Sequence, residues 1–332
     1  MVKALIMAGG IGERLWPIST DKKPKHFHSF VGDSPLIEDT IDRLSKIVDD
    51  FVIVTTDSQL PLFKRYLPKI PAKKVITEPF GRNTAPAIAL GSIYFNEDDI
   101  MLIVPADHVI KDENNYLETM NHAVEIAKTE DFLITIGIVP KSAHTGYGYI
   151  ERGSPVDGIS YTVNRFHEKP DKKTATEYLS SKRFYWNSGM FVWKKSVFTK
   201  KLAHYLKNIY DGINKITHDP LSKESVYRSF PKVSIDNGLM EKSDSIAVVE
   251  SNFYWNDVGC WDSIYEINNP DDSGNVIKGS FETNNVKNSL LINETAQIIG
   301  ISDIESAVYV HSDNGTLLCK LGKTQNIRKL FK

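Results

Sequence analysis

The chain has 332 residues, of which 41% are hydrophobic and 25% charged, a composition typical of a globular protein with room for one large domain and a small one. Forty basic and 42 acidic residues leave a net charge of −2, so we expect neither a nucleic-acid partner nor a membrane-surface partner. Two cysteines exclude a disulfide framework, and no signal peptide or membrane span is recognisable, so we expect a cytoplasmic protein.

The first 25 residues predict a strand followed by a phosphate-binding loop. Residues 2–7 are apolar except for Lys3 and favour a strand, and the loop after it contains four small residues, Ala8, Gly9, Gly10 and Gly12. Such residues let backbone N–H groups approach a ligand. Arg14 and Lys25 add two cations, and this combination suits a polyphosphate. The alternative is a tight strand-to-helix turn with solvated basic residues.

Two common nucleotide-binding motifs do not fit this loop. Residues 10–15 begin like the dinucleotide fingerprint, but Leu15 replaces its third glycine, and no acidic residue closes a second strand about 20 residues later. The Gly-Lys-Ser/Thr ending of a P-loop is also missing. The sequence therefore supports neither an NAD site nor a P-loop NTPase.

Strands and helices alternate through the first part of the chain. Apolar, mostly β-branched runs predict strands at 51–55, 74–77, 100–104 and 132–136, and helices are predicted to start at Asn83-Thr84 and to cover 116–127. This alternation predicts an α/β fold with a mostly parallel sheet covered on both faces. Ligands of such sheets bind beyond the carboxyl ends of the strands, and the glycine-rich loop follows the first strand there.

The pattern changes towards the C-terminus. Two strands at 146–151 and 161–166 are predicted to form an inserted sheet region, and helices are predicted near 172–182 and 195–208. From Asn275 onward, short strands alternate with turns of Asn, Gly, Asp and Ser. We therefore expect a large domain at 1–270 and a small β-rich domain at 275–332.

The stretch 77–86 follows a predicted strand and opens a helix. It suits a base-recognition loop, because a carboxylate such as Glu78 can accept hydrogen bonds from guanine N1–H and N2–H₂. The alternative is a helix cap with a solvated ion pair.

Two aspartates far apart in the sequence are candidate metal ligands. Asp107 ends a predicted buried strand, and Asp257 follows a strand-like segment. Mg²⁺ usually takes one or two protein carboxylates and completes its shell with water and phosphate oxygens. Each aspartate alone also fits a turn or capping role, and we expect His108 to pack rather than to bind metal.

Polar residues beside aromatic ones are candidates for sugar binding. Glu168 and Asn187 can hydrogen-bond sugar hydroxyls and Lys169 can hold a sugar phosphate, although each also fits a hairpin end. Tyr147 lies between two glycines whose backbone can approach a ligand, while its ring suits packing. The sequence offers no Ser/His or Cys/His nucleophile pair, and Cys260 is expected to be buried rather than reactive.

Together these motifs resemble those of the sugar-1-phosphate nucleotidyltransferases, most closely the mannose-1-phosphate guanylyltransferase branch. The matching stretches follow the family order over about four-fifths of the chain, at residues 8–17 with 24–25, 77–86, 105–108, 145–150, 168–170, 186–191, 240–242 and 255–261. Three positions depart from the family pattern, His26, Asn237 and Cys260. These departures leave the chemistry in place.

The resemblance implies a fold and an assembly. The family has a Rossmann-like mixed, mostly parallel sheet flanked by helices, and a short left-handed β-helix at the C-terminus that often serves in dimerisation. We therefore expect a left-handed β-helix-like C-terminal domain and a homodimer. Longer relatives carry an isomerase domain after the transferase, and the chain ends too early for one, so phosphomannose isomerase activity is not expected.

The resemblance also implies a reaction, in which GTP and mannose 1-phosphate give GDP-mannose and pyrophosphate with Mg²⁺ as cofactor. The implied catalytic residues are Arg14, Lys25 and Asp107, and the implied metal ligands are Asp107 and Asp257. The implied nucleotide-binding residues are Ala8, Gly9, Gly10, Gly12, Glu78, Asn83, Thr84 and Ala85. The implied sugar-phosphate-binding residues are Gly146, Tyr147, Gly148, Glu168, Lys169 and Asn187. The alternatives are another nucleotide and sugar-phosphate pair, or a silent regulatory subunit that binds GDP-mannose.

Overall fold

The computed structural model describes residues 1–331, and contacts between Cα atoms divide the chain into two compact units. The sheet unit comprises residues 1–9, 41–106 and 110–255. The loop unit comprises residues 10–40, 107–109 and the chain from 256 onward. The predicted division of the chain at 270–275 stays a prediction about its domains.

Strands and helices alternate over much of the chain. The strands are β1 Val2–Met7, β2 Asp50–Thr56, β3 Val75–Glu78, β4 Ile100–Pro105, β5 Val109–Lys111, β6 Leu133–Ile138, β7 Tyr149–Asp157, β8 Ser160–His167, β9 Phe184–Lys194, β10 Ile246–Ser251, β11 Tyr254–Asn256, β12 Val276–Lys278, β13 Phe281–Lys287, β14 Leu290–Asn293, β15 Ile299–Glu305, β16 Ala307–Ser312 and β17 Gly315–Lys320. The helices are α1 Leu36–Leu44, α2 Leu60–Tyr66, α3 Thr84–Gly91, α4 Glu113–Thr129, α5 Lys172–Ser181, α6 Lys195–Tyr205, α7 Lys207–His218, α8 Lys223–Ser229, α9 Ile235–Gly238 and α10 Trp261–Ile267. Short 3₁₀ helices include Glu13–Leu15, Lys25–Phe27 and Thr324–Phe331.

The sheet unit contains one large mixed sheet, with the strand order β3-β2-β1-β4-β9-β6-β10-β8-β7. The pairings β3–β2, β2–β1, β1–β4 and β6–β10 are parallel, whereas β9 and β8 run opposite to their neighbours. The predicted mostly parallel α/β sheet is therefore confirmed. The strands β7 and β8, predicted as an inserted sheet region, extend this same sheet.

The central strand β1 is buried on both faces. Its consecutive residues Ala4, Leu5 and Ile6 are fully buried, and successive side chains of a strand point to opposite faces of a sheet. This part of the strand has no polar face, which explains the apolar run from Ala4 to Met7. The same strand leads directly into the glycine-rich loop.

The helix α3 packs very closely on the sheet. A Cβ atom added at Gly91 would lie 2.4 Å from Leu5 Cδ1 and 2.7 Å from Val54 Cγ2. The absence of a side chain at this position therefore lets α3 approach β1 and β2. At the other end of α3, Asn83 Oδ1 accepts a hydrogen bond from the Thr84 N–H. The sheet contact thus fixes the helix whose start carries three predicted nucleotide-binding residues.

The strand β9 differs most from the sequence-based expectation. The segment 186–191 resembles a hairpin end, but it lies inside an 11-residue strand between β4 and β6. The pairing register shifts between Thr135 opposite Phe191 and Gly137 opposite Asn187, and Gly189 has φ 69°. These features define a bulge, and a bulge needs the same small and polar residues as a turn.

Helix boundaries also differ in detail. The helix predicted near 195–208 is two helices, α6 and α7, separated at Leu206, which has φ −132° and ψ 48°. The periodic pattern of α3 extends to Ile93, whereas the helix ends at Gly91 and continues as a 3₁₀ turn. Hydrophobic spacing does not resolve such local breaks, because 3₁₀ and α turns bury similar positions.

The C-terminal strands of the loop unit stack in parallel. The strands β12, β14 and β16 pair in parallel, with Val276 opposite Leu290 and Leu290 opposite Val308. The strands β13 and β15 form a second parallel pair, and β17 closes the first group antiparallel to β16. This confirms a β-rich C-terminal region. The left-handed sense of a β-helix stays a prediction.

None of the helices in residues 1–331 has the length and apolar character needed to cross a membrane.

Replacing Gly91 tests the close packing of α3. We expect Gly91→Ala to destabilise the protein by about 1–3 kcal/mol, because the new methyl group overlaps Leu5 and Val54 in the core. Gly158→Ala is the matched control, since a Cβ at Gly158 meets nothing within 4 Å. Urea unfolding measures both variants, and equal stability of the two would contradict this packing.

Candidate functional site

In the loop unit, Lys25 joins the two aspartates predicted as metal ligands. Its Nζ lies 2.7 Å from Asp107 Oδ2 and donates a hydrogen bond to the backbone oxygen of Asp257. The Lys25 side chain is only 7% exposed, whereas that of Asp107 is 29% exposed. A buried ammonium needs such partners, because an isolated charge away from water is costly. Gly12, Lys25, Asp107 and Asp257 are called the Lys25 cluster below.

The glycine-rich loop holds Lys25 in this position. The Lys25 N–H donates to the Ile11 backbone oxygen at 3.0 Å, and the Ser19 hydroxyl donates to the same oxygen. Gly12 has φ 84°, and a Cβ there would lie 2.6 Å from Lys25 Cβ. Glycine is therefore required at position 12 both by its conformation and by the close approach of the lysine.

The electrostatics of Asp107 depend on its neighbours. Burial acts to raise the pKa of this carboxyl, but the charge and hydrogen bond of Lys25 outweigh it, with His108 and His26 acting in the same direction. The pKa of Asp107 is therefore held below its ordinary value, and the side chain is a carboxylate at neutral pH. His26 itself is neutral there, because burial lowers its pKa to about 4.

Asp257 lies in a strained turn. Val258 has φ 48°, which is rare for a β-branched residue. Two hydrogen bonds support this turn, from the Val258 N–H to Asn256 Oδ1 at 2.7 Å and from the Gly259 N–H to Asp257 Oδ1 at 2.9 Å. Backbone strain of this kind persists where the surrounding structure enforces it and is frequent at functional sites.

Arg14 has a partner that the sequence does not indicate. It lies in the 3₁₀ helix Glu13–Leu15, and its Nη1 donates to Gln325 Oε1 at 2.5 Å. The two residues are 311 positions apart, and Gln325 belongs to no recognisable motif. Only the folded loop unit brings them together.

The donors in the Lys25 cluster fit a hard divalent cation. Asp107 and Asp257 each carry a carboxylate, and Lys25 Nζ contacts the carboxylate of Asp107 and the backbone oxygen of Asp257. Among residues 1–331, no group of three or more His, Cys, Asp or Glu side chains is placed to hold a metal ion. Two carboxylates suit Mg²⁺, which keeps several waters and binds substrate phosphates.

In the sheet unit, Glu78 ends β3 as a buried carboxyl. The Tyr227 hydroxyl donates to Glu78 Oε2 at 2.6 Å, and the Arg82 N–H also donates to this carboxyl. Burial raises the pKa of Glu78 to about 7, although both hydrogen bonds oppose that shift. A Cβ added at Gly9 would lie 3.7 Å from Glu78 Oε1, so the loop backbone passes close to the carboxyl. Sequence reasoning missed Tyr227, which carries no motif.

The first residues of the loop continue the sheet. The Ala8 N–H donates to the Val54 backbone oxygen at 2.8 Å, and the buried Gln59 amide donates to the Gly9 oxygen at 3.2 Å. Ala8 therefore uses its N–H in the backbone ladder. The surroundings of Gly10 are open, in contrast to those of Gly9, because a Cβ atom added at Gly10 would meet nothing within 4 Å.

The start of α3 holds a distant segment. Thr84 Oγ1 accepts from the Ile235 N–H at 2.8 Å, and the Ala85 N–H donates to the Val233 oxygen at 3.2 Å. These contacts fix the segment that leads into Asp236. The nucleotide-binding roles of Asn83, Thr84 and Ala85 stay predictions.

Asp236 in turn orients Asn187, one of the predicted sugar-binding residues. Asn187 Nδ2 donates to Asp236 Oδ1 at 2.7 Å, and Asn187 Oδ1 accepts from the Gly189 N–H at 3.1 Å. Burial raises the pKa of Asp236, and the charge of Glu168 adds to that shift. A Cβ at Gly148 would lie 3.6 Å from Glu168 Oε2 and 3.7 Å from Asn187 Cβ. The structure thus brings Gly148, Glu168 and Asn187 together around a carboxyl that sequence reasoning missed.

The other predicted sugar-binding residues have varied surroundings. The Gly146 N–H donates to His144 Nδ1 at 3.2 Å, and the buried Tyr147 ring stacks on His144 with ring centroids 3.9 Å apart. Lys169 Nζ lies 2.9 Å from Glu168 Oε1, and both side chains are more than half exposed. Tyr147 is therefore a packed side chain, whereas Lys169 and Glu168 form an ion pair exposed to solvent.

Comparison with known proteins shows to which family this chain belongs. The sequence profile of the Nucleotidyl transferase family matches residues 3–274. The chain belongs to this family. It is 37% identical to a mannose-1-phosphate guanylyltransferase from Salmonella muenchen, over 98% of this chain and 72% of that protein. It is 36% identical to mannose-1-phosphate guanylyltransferase 2 from Escherichia coli O157:H7, again over 98% of this chain and 72% of that protein.

A solved structure has the same fold as this nucleotidyltransferase. It is a protein from Thermus thermophilus described as a mannose-1-phosphate geranyltransferase, with a TM-score of 0.89 and 29% sequence identity. The match covers 99% of this chain and 98% of that one. The predicted resemblance to the nucleotidyltransferases and to their mannose-1-phosphate guanylyltransferase branch is confirmed, as is the prediction of an enzyme.

Removing the charge of Lys25 tests the electrostatics of its cluster. In Lys25→Met the burial that raises the pKa of Asp107 remains while the cation that lowers it is gone, so we expect that pKa to rise. We expect the free energy of unfolding at pH 7 to fall by about 1–3 kcal/mol, less than for a fully buried pair because Asp107 is partly exposed.

The loss of stability in Lys25→Met should be larger at neutral pH than at low pH. A lowered pKa stabilises the native protein above the ordinary carboxyl pKa, and this stability is lost as the pH falls through the folded-state pKa. The difference between the native protein and Lys25→Met should therefore shrink below about pH 4. Urea unfolding at pH 7 and pH 3.5 measures it, with Lys22→Met as the exposed control. A loss that is equal at both pH values would contradict the assignment.

Proposed function

We propose that this nucleotidyltransferase transfers GMP from GTP to mannose 1-phosphate, giving GDP-mannose and pyrophosphate. The observation that carries the reaction class is the contact of Lys25 Nζ with the Asp107 carboxylate and with the backbone oxygen of Asp257. The choice of substrates is supported by the names of two relatives that match 98% of this chain. The roles below also rest on the family resemblance.

The proposed reaction is an in-line displacement. A phosphate oxygen of mannose 1-phosphate forms a bond to the α-phosphorus of GTP, while the bond from that phosphorus to the oxygen bridging to the β-phosphorus breaks. The electron pair of the broken bond leaves with pyrophosphate. Such chemistry needs positioning and charge neutralisation more than covalent catalysis.

Cations and backbone groups of the glycine-rich loop would hold the triphosphate. We assign this role to the N–H groups of residues 9–12 and to Arg14. Lys25 would neutralise charge at the α-phosphate. Its ammonium is already oriented by Asp107, so little reorganisation is needed when charge develops there.

Asp107 and Asp257 would hold Mg²⁺. When bound, this ion would neutralise phosphate charge that the side chains alone leave uncompensated. The lowered pKa of Asp107 keeps that residue ionised at neutral pH, as a metal ligand must be. The strained turn at Val258 would fix the direction of Asp257.

Glu78 would recognise the base. Its carboxylate can accept hydrogen bonds from guanine N1–H and N2–H₂. Tyr227 donates to one of its oxygens, so the orientation of the carboxyl is fixed before the nucleotide arrives. Asn83, Thr84 and Ala85 would complete the base-binding loop.

The sugar phosphate would bind to a different set of residues. Glu168 and Asn187 would hydrogen-bond the mannose hydroxyls, and Asp236 holds the Asn187 amide in one orientation. Lys169 would hold the phosphate of mannose 1-phosphate. The backbone of residues 146–148 would lie against the sugar ring.

The family resemblance also supports two features of the assembly. We infer that the C-terminal strands form a left-handed β-helix and that the protein is a homodimer. Both stay predictions.

A coupled pyrophosphate-release assay tests the activity. We expect release with GTP, mannose 1-phosphate and Mg²⁺, and less with other nucleotides or sugar phosphates. Lys25→Ala and Asp257→Ala should each lower turnover by at least about 10²-fold, the scale for losing a preorganised electrostatic group. Lys22→Ala is the control and should keep normal turnover. No release with any substrate pair would contradict the proposal, and near-normal turnover of both variants would contradict the assigned centre.

Base recognition by Glu78 predicts a pH dependence of binding. Because burial raises the pKa of Glu78 to about 7, much of this side chain is protonated below pH 7. A protonated carboxyl must lose its proton before both oxygens can accept hydrogen bonds from guanine. We expect the Kd for GDP-mannose to fall about tenfold between pH 6 and pH 8. Calorimetry with GDP-mannose avoids the titration of a terminal phosphate. Glu78→Gln should bind more weakly and independently of pH, and a pH dependence that persists in this variant would contradict the role.

A further inference from the structure

The C-terminal 3₁₀ helix Thr324–Phe331 reaches the residue predicted to bind the triphosphate. Gln325 Oε1 accepts from Arg14 Nη1 at 2.5 Å, as described above. The other end of the same amide, Nε2, lies 3.3 Å from Cys260 Sγ. Arg14 can only donate, so the amide oxygen must face it, and the sulfur is then placed to accept from the amide nitrogen. The orientation of Gln325 is thus fixed at both ends.

Further contacts fix the backbone of this segment. The side chain of Asp262, the second residue of α10, accepts from the N–H groups of Gly322 at 2.7 Å and Thr324 at 3.3 Å. The Thr324 hydroxyl accepts from the Asp262 N–H at 3.1 Å. Thr324 is fully buried. Gln325 therefore follows a well-held residue and is not part of a loose tail.

A second set of contacts joins the segment to the loop around Arg14. Arg328 Nε lies 3.5 Å from Glu13 Oε2, and Phe331 packs edge-on against Trp16 with ring centroids 5.3 Å apart. Glu13 and Trp16 lie on either side of the Arg14-Leu15 pair. The C-terminal segment thus packs along the 3₁₀ helix that carries Arg14.

We propose that Gln325 is a positioning residue for Arg14, which it holds in the orientation that binds a polyphosphate; this rests on the proposed function. A neutral amide is suited to that task, because it occupies one N–H of the guanidinium without cancelling its charge. The remaining N–H groups stay available to phosphate oxygens. A carboxylate in the same place would pair with Arg14 and repel the ligand.

Gln325 also contacts Cys260, the residue that precedes α10. Cys260, which contacts the amide of Gln325, lies three residues after Asp257. One side chain of the C-terminal segment therefore contacts both Arg14 and Cys260, which is close in sequence to Asp257. The C-terminal segment contributes to nucleotide binding through Gln325 without touching the nucleotide itself.

Binding measurements on the full chain test this role separately from turnover. The probes are GTP, GMP and inorganic tripolyphosphate, each titrated calorimetrically with Mg²⁺. We expect Gln325→Ala to weaken GTP and tripolyphosphate binding three- to tenfold and to leave GMP binding within twofold, because only the longer phosphates need Arg14. Gln325→Glu should weaken them more than Gln325→Ala. Asn326→Ala, which removes the neighbouring exposed amide, should change none of the three.

A double-mutant cycle distinguishes positioning from general stability. In an Arg14→Ala background, Gln325→Ala should have no further effect on GTP binding, since the residue it positions is gone. An additive effect there, or an equal loss for GTP and GMP, would overturn the proposal. The proposal would also be overturned if the native protein bound neither GTP nor tripolyphosphate. If these ligands bind as expected but no GDP-mannose forms, the proposed function fails while the role of Gln325 stands.

Discussion

The loop unit depends on one buried ammonium group. Lys25 Nζ contacts the Asp107 carboxylate and the Asp257 carbonyl, and each partner constrains its own segment. Gly12 has no side chain because the lysine passes too close, and Val258 adopts a rare conformation beside Asp257. A lysine buried to this degree is costly without partners. The glycine-rich loop, the short segment at Asp107 and the turn at Asp257 are therefore held by a single charge.

Much of the fold follows from residue patterns in the sequence. The run Ala4, Leu5, Ile6 has no polar face, and such a strand predicts a sheet covered on both sides. The strand β9 could not be found in this way. Its bulge lies between the paired residues Asn187 and Phe191 and contains Ser188 and Gly189, and such small and polar residues are also typical of a turn.

In the candidate site, the sequence indicates the charged residues but not the residues that support them. Arg14, Lys25, Asp107 and Asp257 carry charges in recognisable motifs, so their residue types alone indicate phosphate and metal chemistry. Their supporting residues carry no such pattern. Tyr227 holds Glu78 and Asp236 holds Asn187, each across many intervening residues. Local spacing cannot report a hydrogen bond between distant segments, because that bond exists only after the sheet has formed.

Asp107 and Asp257 are the proposed ligands of the metal ion in this nucleotidyltransferase. A crystal of the protein with Mn²⁺ and GDP-mannose, measured at a wavelength where manganese scatters anomalously, tests this assignment most directly. We predict an anomalous peak about 2.1 Å from carboxylate oxygens of both residues, close to the distance that such small divalent cations require. A peak that contacts neither carboxylate would contradict the assignment of Asp107 and Asp257 as metal ligands.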